Sequence, residues 1–187
     1  EWLATGQCIR SLTTLSAAAG ADYDLFRREI ELVTRLCGAL SLSSKRQCYW
    51  TLGDLHRRFA SVMEQDNLIV RTSPETIWDS YLKAGQVYVE LIRKDLASER
   101  LVDACFLAAD SLRMGHDFPT AEIYYQKFLN FTNDVSRIPQ ARLDLGMVYQ
   151  SLGRARDALR EFNRLDREYS NTLQAYEPVY QIGVTHE

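Results

Sequence analysis

The sequence predicts an all-α chain built from antiparallel helical hairpins, and three observations carry that reading. Apolar residues recur three and four positions apart in one stretch after another, the spacing that gathers them on one stripe of a helix. No stretch sustains period-two alternation, and no Asn-Gly or Asp-Gly pair marks a β-hairpin turn. Gly146 and Gly183 lie 37 residues apart, and so do Ala121 and Ala158, which is self-similarity at the period of stacked helical repeats.

About nine helices are expected. The first spans 2–19 with Leu3, Ile9, Leu12 and Leu15, and Gly20 followed by Asp22 supplies a stop and then a start. The second, over 22–40, places Phe26, Ile30, Val33 and Cys37 on one stripe and ends at the serine-rich 41–44. The third, over 44–65, carries Tyr49, Leu52, Gly53, Leu55 and Phe59, and 66–74 is the longest expected loop because it is the least periodic part of the chain. Ser73 is a good N-cap with Pro74 at the first helical position, so a fourth helix runs to about Lys94 with Ile77, Tyr81, Ala84, Tyr88 and Leu91 on one face. From about Leu96 the pattern is regular. Helix five holds Cys105, Ala108, Ala109 and Leu112, and a turn over 115–117 leads to helix six with Phe118, Ala121, Tyr125 and Phe128. Helix seven, over 138–152, holds Leu145, Gly146 and Tyr149; Gly153 turns the chain into helix eight, with Ala158, Phe162 and Leu165. A ninth begins near Ala175, where Val179, Ile182 and Gly183 repeat the spacing of Arg142, Leu145 and Gly146.

The clearest hairpin, 142–165, has a physical logic of its own. A glycine inside a helix costs about 1 kcal/mol relative to alanine, so Gly146 needs a packing reason, and close approach of the next helix supplies one. Ala158 is expected to face it, with Leu145, Tyr149 and Phe162 filling the space around the contact. A single hairpin cannot bury its own apolar face, which is why the pattern repeats.

Leu145, Gly146, Tyr149, Gly153, Ala158 and Phe162, and in the preceding unit Ala109, Leu112, Phe118, Ala121, Tyr125 and Phe128, resemble the tetratricopeptide repeat. Arg142 stands where that family usually has tryptophan, and Ser170 where it has proline. The resemblance covers 102–187. It implies a right-handed superhelix of hairpins, an α-solenoid, with 95–187 as repeats of which the last is cut short. Residues 1–94 form degenerate hairpins, the favoured reading, or a separate helical cap; Leu52-Gly53 and Ala84-Gly85 look like helix-contact pairs there. Residues 168–171 and the three extra residues per repeat resemble longer repeats of bacterial cell-envelope members, which implies an envelope compartment, with the cytoplasm as the alternative. The chain is expected to be a fragment of a longer protein, since it opens on Glu1 and stops at Glu187 inside a repeat.

Composition narrows the function classes. With 46% hydrophobic and 25% charged residues, 4 prolines and 9 glycines, the 187-residue chain is globular rather than disordered. A net charge of -3 with interspersed signs leaves no basic stripe for nucleic acid. No apolar run reaches the roughly 18 residues of a membrane span, so no membrane insertion is expected. Cys8, Cys37, Cys48 and Cys105 lack metal-ligand spacing and are expected to be buried free thiols, with a Cys37–Cys48 disulfide as the alternative. His56, His116 and His186 are isolated and read as surface or turn residues; carboxylate pairs such as Glu29 with Glu31, or Asp103 with Asp110, read as solvated helix faces. No phosphate-cradling or nucleophile-elbow motif occurs, and Asn130-Phe131-Thr132 fits a glycosylation pattern too short to carry weight. No catalytic site, metal or cofactor is expected, and the chain is not expected to be an enzyme.

What remains is a surface. The resemblance implies that the first helix of each hairpin lines a concave groove, which assigns Asp103, Phe106, Asp110 and Arg113 from one unit, Gln140, Leu143, Met147 and Gln150 from the next, and Tyr180 from the last. Phe106, Leu143, Met147 and Tyr180 would form an apolar strip suited to a partner peptide or helix. The expected partner is another protein; the alternative function is structural, self-association into a homo-oligomer through the repeat ends. The subfamily that clamps a C-terminal carboxylate needs lysine and asparagine where Phe106 and Asp110 stand, so that activity is not expected.

Overall fold

A computed structural model describes residues 23–70, 73–94, 97 and 100–169; the helices expected over 2–19 and from 175 lie outside them. The described residues form seven helices and no strand: α1 (Tyr23–Ala39), α2 (Leu42–Val70), α3 (Pro74–Arg93), α4 (Leu101–Met114), α5 (Phe118–Phe131), α6 (Ile138–Ser151) and α7 (Ala155–Tyr169). They fall into two compact units, 1–99 and 100–187.

In the first unit α1 lies antiparallel on α2. The Phe26 ring stacks on Phe59 at 5.5 Å, Tyr23 meets the same ring edge-on at 5.9 Å, and Val33 and Cys37 pack with Cys48, Leu52 and Leu55. Cys37 and Cys48 form a disulfide with Cα atoms 5.5 Å apart, so the alternative reading holds for that pair; Cys105 is a buried free thiol, and Cys8 lies outside the described residues. Between α2 and α3 the Tyr88 ring covers Gly53, where an added Cβ would stand 2.6 Å from the ring, and Trp50 meets Tyr88 at 5.6 Å. Ala84 and Gly85 are buried, in keeping with a contact role. Ser73 caps α3 as expected, its hydroxyl accepting the Thr76 N–H, with Pro74 in the first turn.

Three expectations are corrected here. The 66–74 loop is mostly helix: α2 runs to Val70, because no glycine or proline interrupts it before Ser73 and its last turns are tied by Tyr81 Oη to Glu64 at 3.0 Å and Tyr23 Oη to Asp66 at 3.4 Å. Glu29 is not on a solvated face. It is 2% exposed on the stripe of Phe26 and Val33, whereas Glu31 is exposed and paired with Arg35 at 2.6 Å. His56 is buried between α2 and the Asp79–Lys83 ion pair of α3 rather than on the surface.

The second unit is two hairpins of matched length. Leu101 and Ile138 open α4 and α6, and Phe118 and Ala155 open α5 and α7, in both cases 37 residues apart. The turns match too. Asp117 N donates to Leu112 O and His116 N to Arg113 O, and 37 residues later Arg154 N donates to Tyr149 O and Gly153 N to Gln150 O. This paired closing bond needs one left-handed residue, which is His116 (φ 64°) in the first turn and Gly153 (φ 71°) in the second. The first turn thus falls within the expected 115–117, with His116 as its left-handed residue. Asp117 then caps α5 by accepting the Thr120 N–H. The close approach at Gly146 is real, and what lies nearest to it is the fully buried ring of Phe162; Ala158 is fully buried on the same helix.

Candidate binding groove

The expected groove residues sit on α4 and α6, the first helices of the two hairpins, which pack side by side. The loop over 132–137 is folded around Asp134, which accepts from Ser136 Oγ at 2.6 Å and Arg137 Nε at 2.7 Å; these bonds hold its carboxyl below the usual range. That positions Arg137 to reach Asp103 of α4 at 2.8 Å while its guanidinium lies over the Phe106 and Phe128 rings, at 5.7 and 5.4 Å. Phe106 packs against Phe128 at 5.0 Å and meets Tyr125 edge-on at 6.4 Å. One end of the strip is therefore an aromatic shelf covered by an arginine.

Two turns further along α4, Arg113 is shared by three groups. Its guanidinium contacts Asp110 at 3.1 Å, the Tyr125 hydroxyl at 3.3 Å and Asp144 of α6 at 3.6 Å. Gln140 donates to the same Asp144 oxygen at 3.1 Å. Burial raises the Asp144 pKa even though Arg113, Gln140 and Tyr125 pull it down. Burial works against the charge of Arg113, yet Asp144, Tyr125 and Asp110 outweigh it and hold the guanidinium charged. The Tyr125 hydroxyl is pushed well above its ordinary value, by burial first and then by the two aspartates. These groups satisfy one another, which is an arrangement for tying α4 to α6 rather than for moving a proton. Cys105, the free thiol among the described residues, is buried and pushed up to about 11 by that burial. Among the described residues no group of acidic, histidine or cysteine side chains could hold a metal, and no helix is long and apolar enough to cross a membrane.

The structure thus brings Asp103, Phe106, Asp110, Arg113 and Gln140 together through two residues the sequence did not single out, Arg137 and Asp144. Leu143, expected to face outward, is 8% exposed and belongs to the core of α6. Met147 and Gln150 are half-buried on α6, and Tyr180 lies outside the described residues. Asp144 left a faint trace in the sequence: it is a carboxylate set between Leu143 and Leu145 and followed by Gly146, Met147 and Val148, a place that asks for a cationic partner. No protein-family model matches the chain, and no curated protein matches it.

Proposed function

We propose that the chain is a noncatalytic protein–protein interaction scaffold, a right-handed superhelix of tetratricopeptide-type hairpins whose concave face holds a peptide or helix of another protein. The observation that supports this reading most is the recurrence, at 37 residues, of both the helices and the strip on them: Phe106 with Leu143, Asp110 with Met147, Arg113 with Gln150. Asp110 is paired with Arg113, which also reaches Asp144, so the Phe106 edge and Met147 are what the strip offers a partner, an apolar surface suited to aliphatic side chains. In this reading the array works in a bacterial envelope complex.

Peptides selected from a random library against the full chain test it. Met147→Glu, on a half-buried position, should weaken the selected peptides at least tenfold, with helicity retained by circular dichroism, as burying a charge in an apolar contact does. Undiminished binding to Met147→Glu and to Phe106→Glu would move the site elsewhere. A second reading is self-assembly through the repeat ends. Sedimentation across the micromolar range separates the two, because a chain that stays monomeric removes the assembly reading.

A further inference from the structure

α1 is held on α2 by different chemistry at its two ends. Near its start, Tyr23 and Phe26 pack on Phe59, and the Tyr23 hydroxyl donates to Asp66 at 3.4 Å. Near its end, the Cys37–Cys48 bond closes the turn between the helices. Between them Glu29 is buried with neither carboxylate oxygen hydrogen-bonded. A buried carboxyl that loses its water and gains no hydrogen bond opposes docking, and the charge of Arg58 on α2 offsets that loss only in part, since burial outweighs it. The noncovalent half of this joint therefore carries a penalty at its centre, and the covalent bond offsets it by keeping α1 at high effective concentration against α2. α2 has a second, independent support: α3 packs on it through Trp50, Gly53 and Tyr88, and Tyr81 bonds to Glu64.

We propose that Cys37–Cys48 is a redox latch, whose reduction by a dithiol lets α1 leave α2 while the α2–α3 pair stays folded, and whose re-formation by the reverse exchange with a small disulfide, which is reduced to its dithiol, seats α1 again. A dithiol opens the latch in two exchange steps. One thiolate of the reductant attacks Sγ of Cys37, the more exposed of the two cysteines at 5% against 0%, and the Cys48 sulfur leaves as a thiolate and takes up a proton. The second thiol of the reductant then attacks the mixed disulfide, Cys37 leaves as a thiol, and the reductant ends as its own disulfide, having delivered two electrons and two protons. Departure of α1 uncovers Cys48, Leu52, Leu55 and Phe59 as an apolar strip that is open only in the reduced chain.

Hydrogen exchange on the full chain, oxidised and after dithiothreitol, tests the latch. Reduction should speed exchange over 27–39 at least tenfold and leave α3 within twofold of its oxidised rate. The Cys37→Ser, Cys48→Ser double variant should behave as the reduced chain without any reductant. Glu29→Leu should slow exchange over 27–39 in the reduced chain, because it removes the central penalty. Unchanged exchange of α1 on reduction overturns the proposal, as does loss of α3 protection together with α1, which would make the bond a plain fold staple. Peptide mapping of the unreduced chain that finds Cys37 and Cys48 unlinked overturns it at the outset.

Discussion

Two glycines inside helices have opposite surroundings, and substitution by alanine should separate them. At Gly146 a methyl group would overlap the Phe162 ring, which is fully buried and has nowhere to swing, so Gly146→Ala should lower stability by about 1–3 kcal/mol despite alanine's better helix propensity. At Gly38 nothing lies within 4 Å of the added methyl, so Gly38→Ala should raise stability by about 0.5–1 kcal/mol. Urea denaturation of both variants checks the pair, and a destabilised Gly38→Ala would show that α1 does not pack as described. The need for small residues at the helix contact was readable from Gly146 alone, because a helical glycine carries a cost that must have a cause. Which group lies on it was not readable, since Phe162 and Ala158 are one turn apart on α7 and only the relative rotation of the two helices chooses between them.

At the scale of elements, the ends written into local chemistry were legible: Ser73 with Pro74 opens α3, Asp117 caps α5, and Gly153 closes α6. The misjudged ones depend on neighbours. The end of α2 is held by tyrosines from α1 and α3, and the burial of Glu29, Leu143 and Asp144 follows from which face meets another helix. The α2–α3 pair also carries a pH response. Burial, aided by Lys83 and opposed by Asp79, lowers the His56 pKa from 6.5 to about 4. Above pH 6.5 the imidazole is neutral in both folded and unfolded chains and contributes no pH dependence. Between 6.5 and about 4 the unfolded chain takes up a proton that the folded one refuses, so stability falls as pH falls, by up to about 3 kcal/mol from this group. Urea midpoints from pH 7 to 4 should fall more steeply for the wild type than for His56→Leu; parallel curves would show that His56 takes up its proton alike in the folded and unfolded chains.

At the scale of the molecule, each unit has its own core. In the second, Leu112, Tyr125, Phe128, Val148, Phe162 and Leu165 are all essentially inaccessible to solvent and come from four consecutive helices. Residues 100–187 expressed alone should therefore show helical circular dichroism and one cooperative melting transition; a broad, noncooperative melt would mean that this core is incomplete without 1–99. Equivalent positions on α4 and α6, which make up the candidate groove, were legible from the 37-residue period. The groove's internal wiring was not, because the partner of Arg113 across the helices is Asp144, 31 residues away in sequence. The matched starts and matched left-handed turns of the two hairpins also make 101–137 a cassette whose two ends fall at equivalent points of the chain. A gene that duplicated or lost this cassette would keep each cap and closing turn in register, so the length of such an array is free to change by whole hairpins without any joint being redesigned.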